Sequence, residues 1–300
     1  MKKLNKESFE KAKNWIRING RQLEKARLEN NINKIQVALK QFQTPDGGFG
    51  HAIEPDLRAP DSSVLGTSIA FQTLRSLSVR QFAPEVYLPA IKFLLNNYDS
   101  RQMAWRIIPK TAENYPQAPW WNQADREDSF SGFNLNPTAE ILGYVFDFKE
   151  QVPDKLIFSL SNQVMKVLKK LKEIEMHDFL CCMRLSDSDH LDDSFKQNIL
   201  NELTRLLDSC VVMDPSKWGG YGLRPLQVAD SPNSFFYNKL KKSVEANLDY
   251  EINTQDISGT WLPTWTWKDK FPNSWEQAKK EWTGIITFEK LVILKRFQRV

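Results

Sequence analysis

A seven-residue pattern occurs twice in this chain, far apart, and restricts its fold more than any other feature. Gln43-Thr44-Pro45-Asp46-Gly47-Gly48-Phe49 and Gln255-Asp256-Ile257-Ser258-Gly259-Thr260-Trp261 each set a glutamine, three residues, a glycine, one residue and an aromatic ring in line. Glycine permits positive φ and close backbone approach, the ring can cover the turn, and the glutamine amide can bond backbone groups left open at a helix end. Asp214-Pro215-Ser216-Lys217-Trp218-Gly219-Gly220-Tyr221 is a looser third copy with Asp in place of Gln. Gly132-Phe133, ahead of Asn136-Pro137-Thr138, is a fourth whose head is missing. Weak repetition of helix-turn units marks an array or a toroid.

The stretches between these turns read as helices. From Ser8 to Glu29 the apolar residues Phe9, Ala12, Trp15, Ile16, Leu23 and Ala26 recur every three or four positions, so one face seeks burial. The same spacing predicts helices over 32–42, 62–77, 84–97, 136–148, 154–174, 177–185, 192–211, 234–250 and 275–297, bounded by Pro, Gly or Asn/Asp/Ser clusters. Period-two strands with hairpin turns are missing apart from an ambiguous piece at 103–108. The class expected is all-α. No composition shift or Ser/Gly linker divides the chain, so residues 1–300 are expected to form a single domain.

Composition narrows the function. No apolar run approaches the roughly 18 to 20 residues that span a bilayer, and Met1-Lys2-Lys3-Leu4 opens with charge where a signal peptide needs apolar residues, so a cytoplasmic protein without integral membrane association is expected. Net charge is only +4, and lysines such as Lys166, Lys169, Lys170 and Lys172 are spread along helices, which reads as a solvated face rather than a nucleic-acid surface. Cys181, Cys182 and Cys210 lack the spacing of a disulfide framework or metal site. His177 and His190 lie near Asp187, Asp189, Asp192 and Asp193 without ligand spacing, so no metal and no other cofactor is expected. Neither a Gly-x-Ser-x-Gly elbow nor a phosphate loop occurs. Ten tryptophans are many for 300 residues: large rings fill a core or line a ligand cavity.

The two Gln turns resemble the QW-type repeat of terpenoid cyclases and the Gly-Gly-Phe-Gly turns of protein prenyltransferase β-subunits. That resemblance implies an α/α toroid, inner and outer helices alternating around an apolar cavity that takes an elongated small molecule such as an isoprenoid. The chain departs from both chemistries. The cyclases' Asp-x-Asp-Asp has no counterpart, since Asp187-Ser188-Asp189-His190 ends in the wrong residue, and the prenyltransferases' Asp-x-Cys zinc element is absent.

The acid/base candidates lie in two loops. His51-Ala52-Ile53-Glu54-Pro55-Asp56 follows the first turn, with Arg58 and Asp61 close behind. There Glu54 or Asp56 would act as general acid if desolvation raised its pKa; alternatively Asp56 and Asp61 cap helices, Glu54 pairs with Arg58 and His51 bonds the turn. Asp125, Glu127 and Asp128 follow Trp120 and Trp121. Rings beside paired carboxylates suit a glycan or a carbocation; alternatively the rings pack a long loop. Phe49, Trp120, Trp121, Glu127, Asp128, Trp218, Tyr221, Trp261 and Trp265 are the expected ligand contacts, and His51, Glu54, Asp56 and Asp125 the expected catalytic groups. Three readings stay open: an isoprenoid-binding toroid, a glycan-active α/α barrel with paired carboxylates, and a non-catalytic scaffold.

Overall fold

The computed structural model describes residues 1–124, 126 and 130–300. Among them are twelve α-helices: α1 (Lys6–Asn19), α2 (Gln22–Leu28), α3 (Ile32–Lys40), α4 (Val64–Arg75), α5 (Pro84–Asn96), α6 (Leu135–Asp147), α7 (Asp154–Leu168), α8 (Met176–Ser186), α9 (Asp193–Cys210), α10 (Pro225–Val228), α11 (Tyr237–Asn253) and α12 (Pro272–Arg296). The only named strands there are β1 (Tyr98–Asp99) and β2 (Ala104–Trp105), antiparallel. The chain is therefore all-α. None of the described helices is long and apolar enough to cross a membrane.

Local chemistry sets the helix ends. Asn5 accepts from the Ser8 N–H at the start of α1, Ser63 accepts from the Gly66 N–H at the start of α4, and Pro84 and Pro272 occupy first turns where no N–H partner is needed. The helix expected over 8–29 is broken in two because Gly20 and Arg21 adopt extended backbone, at ψ 159° and 161°. The helix expected to reach Ile174 stops at Leu168. The ambiguous piece at 103–108 supplies β2, whose Trp105 indole donates to the Leu94 carbonyl.

Contacts divide the chain into two compact units, Met1–Ala38 with Val211–Val300, and Leu39–Cys210. In the first, Ala12, Ile16, Val244, Leu248, Ala278, Leu291 and Leu294 are buried. Its two chain ends meet: the Leu4 N–H donates to the Arg299 carbonyl, and buried Arg299 pairs with Glu245 and Asp249. In the second, Phe71 stacks on Tyr144 at 4.7 Å and meets Phe148 edge-on at 5.9 Å, and Ile91, Leu94, Phe179 and Leu206 complete the core. Burying each such side chain fully stabilises by about 1.5–3 kcal/mol, so the apolar spacing of these helices dominates the fold.

Candidate functional site

In the unit Leu39–Cys210 the first Gln turn is built as its residues suggest. The Gln43 amide donates to the Gly47 carbonyl at 3.0 Å and the Val86 carbonyl of α5 at 2.9 Å, tying the turn to a helix. Asp46 accepts from the Gly48 N–H and from the hydroxyls of Ser62 and Thr44. Burial raises the Asp46 pKa, but these three donors outweigh it and hold the carboxyl below its ordinary value. Gly47 has φ +91°, and a Cβ there would stand 2.5 Å from the Pro89 carbonyl oxygen, so only glycine fits. Phe49 is fully buried and its N–H donates to Thr67 of α4; the ring is core.

The turn launches the loop that carries the carboxylates. His51 and Ala52 follow with φ +51° and +59°, left-handed backbone that non-glycine residues adopt at about 1–2 kcal/mol each. Buried Ile53 and the bond from its N–H to the Gly50 carbonyl hold them there. His51 is exposed. Glu54 is 7% exposed and Asp56 2%, and a carboxylate that deep persists only where hydrogen bonds and charge compensate it. Both have interaction partners. Ser63 takes the α4 cap, and Asp61 accepts from the Thr111 hydroxyl at 2.7 Å.

A second segment closes over this loop. Leu57 bridges Gln117 in antiparallel register, the Ala118 N–H donates to the Asp56 carbonyl at 2.9 Å, and the Arg58 N–H donates to the Pro116 carbonyl at 3.0 Å. Trp121 packs on an apolar patch of Leu57, Ala59, Ile107, Ile108, Ala112 and Phe130, while Trp120 is 38% exposed. Glu54, Asp56, Trp120 and Trp121 thus belong to one seam. Arg106 and Arg126 flank the Phe130 ring at 5.9 and 5.8 Å. The candidates Asp125, Glu127 and Asp128 lie outside the described residues.

The other ring candidates belong to the unit containing both termini. The Gln255 amide donates to the Gly259 carbonyl at 2.8 Å and the Ser8 carbonyl of α1 at 3.4 Å; Asp256 accepts from the Ser258 N–H; Gly259 has φ +87°. Trp261 is buried, its N–H on Thr287 of α12 and its indole on the Glu251 carbonyl. Trp265 is half-buried, edge-on to Trp282 at 5.1 Å. Trp218 is buried, with its indole on the Val212 carbonyl, and Tyr221 is 79% exposed. The looser third copy folds differently, because Asp214 accepts from the Ser216 N–H and hydroxyl in capping a short helical turn and has no glycine four residues on. In the fourth, Gln102, remote in sequence, accepts the Gly132 N–H. A cleft of about 340 Å³ at the start of α1, lined by Lys3, Asn5, Lys11, Gln255 and Asp256 among others, includes none of the expected contacts.

A buried polar network that no sequence motif announces lies between α4, α6 and α8. Glu140 accepts from the Tyr144 hydroxyl at 2.5 Å and Gln72 at 2.8 Å through one oxygen, and from Arg184 at 2.9 Å and the Cys181 thiol at 3.5 Å through the other. Arg75 stacks on the Tyr144 ring, pairs with Asp147 and donates to the Arg184 carbonyl. Burial, then the Glu140 charge, pushes the Tyr144 hydroxyl and the Cys181 thiol well above their ordinary values, which favours their protonated forms. The available signal was Glu140 itself, a charge in the middle of the apolar residues of α6. Among the described residues no group of three or more His, Cys, Asp or Glu is placed to hold a metal. No family model, curated protein or solved structure matches the chain.

Proposed function

We propose that the chain is a small-molecule-binding protein of the α/α-toroid kind, similar to terpenoid cyclases and prenyltransferases, and that Glu54 and Asp56 engage its ligand. The observation that carries this reading is the burial of both carboxylates in one loop, which the Gln43 turn anchors to α5 and residues 116–118 cover. Loop carboxylates are ordinarily solvated, and a buried pair on a braced scaffold is how acid/base and ligand-orienting groups are held. The resemblance points to an isoprenoid ligand. A glycan-active enzyme is the second reading, favoured by the exposed ring of Trp120 on the segment that pairs with the carboxylate loop.

The test compares wild type with Glu54→Gln and Asp56→Asn in thermal shift and calorimetry, using farnesol and neutral tetrasaccharides as probes. The proposal expects at least one probe to raise the wild-type Tm and to bind each folded variant at least tenfold more weakly. Equal binding by wild type and both variants contradicts it and leaves the scaffold reading.

A further inference from the structure

We infer that the ligand of this seam is polyhydroxylated and that Gln117 and Trp121 select it; the inference rests on the reading of Glu54 and Asp56 as ligand groups. Gln117 is only 5% exposed, and its amide orientation is fixed because the Nε2 group donates to Glu113 at 3.1 Å. Its Oε1 is buried with no donor. Four residues on, the indole Nε1 of Trp121 is buried with no acceptor. The rest of this wall is satisfied: Glu113 also accepts the Gln123 N–H, and the Gln123 amide donates to the Pro109 carbonyl and accepts from Arg106. A buried acceptor and a buried donor left open in an otherwise paired wall each cost stability, and such exceptions call for a physical cause.

The two open atoms differ in kind, which separates ligand classes. A hydrocarbon chain satisfies neither. An ammonium group satisfies Gln117 Oε1 alone, and a phosphate satisfies the Trp121 indole alone. Hydroxyl groups both donate and accept, so a ligand with several of them satisfies both, with further hydroxyls for the carboxylates and a ring face for Trp120. Sites built to bond hydroxyls reject analogues that lack them, because their own polar groups then stay unpaired. Both open atoms are shut from solvent, so entry requires residues 116–121 to lift from the 54–58 loop, parting the Ala118 to Asp56 and Arg58 to Pro116 bonds.

The experiment measures binding of cello-, xylo-, manno- and maltotetraose and of farnesol by calorimetry to the full chain, to Gln117→Met and to Trp121→Phe, with hydrogen exchange followed over residues 116–121. At least one saccharide is expected to bind the wild type, to slow exchange in that segment, and to bind each folded variant at least tenfold more weakly. Trp121→Phe keeps a ring on the apolar patch, and Gln117→Met gives an independent reading if that variant does not fold. Saccharide binding unchanged in both variants overturns the inference. Farnesol binding that Glu54→Gln abolishes, with no saccharide bound, overturns it while leaving the carboxylate site standing. Binding of no probe overturns both.

Discussion

The Gln43 and Gln255 turns share a backbone and differ in what they carry. Each donates its amide to the carbonyl of a glycine four residues on and to a carbonyl of a helix, sets that glycine at φ near +90°, and seats the backbone N–H of its aromatic residue on a threonine hydroxyl. The helix bond is 2.9 Å in one and 3.4 Å in the other, so the first staple is the tighter. Beyond the ring, the first turn opens into a loop with two buried carboxylates, and the second into a loop with Trp265 and exposed Leu262 and Phe271. A repeated turn fixes a scaffold, and the residues past it decide what the scaffold holds.

The largest expected difference comes from the glycines. Gly47→Ala adds a Cβ 2.5 Å from a carbonyl oxygen of α5, whereas Gly259→Ala meets α1 at 3.0 Å. Positive φ and overpacking together give about 3–5 kcal/mol of destabilisation for the first and about 1–3 for the second, measured by urea denaturation. Equal losses would break the ranking of the two staples. Gln43→Ala comes next, at about 1.5–3 kcal/mol for two lost bonds, against about 0.5–1.5 for Gln255→Ala, whose second bond is long.

Smaller effects sharpen the contrast. Left-handed non-glycine residues directly follow the first turn at His51 and Ala52, but in the second loop they come late, at Lys268 and Phe271. His51→Gly and Lys268→Gly, both at exposed positions, are each expected to raise stability by about 0.5–1 kcal/mol, the relief of φ being partly offset by chain entropy. A loss at His51 would show that its side chain supports the loop. The smallest effect is the acid limb. Asp46 is held below its ordinary value by the donors that overcome its burial, and Asp256 by the Ser258 hydroxyl and N–H. Because both folded pKa values lie below the unfolded one, each contributes stability above about pH 4 that is lost as pH falls through the folded value. Asp46→Asn and Asp256→Asn should flatten the fall of Tm in that range, the first more than the second.

Much of the fold was legible because its signals are local. The spacing of Ala12 and Ile16, the prolines at 84 and 272, and the glycines of the two turns act through backbone sterics and burial that adjacent residues specify. The site was less legible. Glu54 and Asp56 have the composition of a solvated loop, yet both are buried, and their loop pairs through Leu57 with Gln117, sixty residues on. Glu140 stands out among the apolar residues of α6, but no spacing shows that Arg184 and Tyr144 close on it. The open atoms of Gln117 and Trp121 follow from packing that no spacing encodes. Of the rings expected at a ligand, Phe49, Trp218 and Trp261 each occupy a buried, hydrogen-bonded position.

The most direct test is a crystal structure of the protein soaked with whichever probe raises its Tm most. Ligand density within hydrogen-bond reach of Glu54 and Asp56, with residues 116–121 displaced or rearranged, is the result expected. Density elsewhere on the chain, with both carboxylates unmoved in their own contacts, would contradict the assignment of this loop as the site.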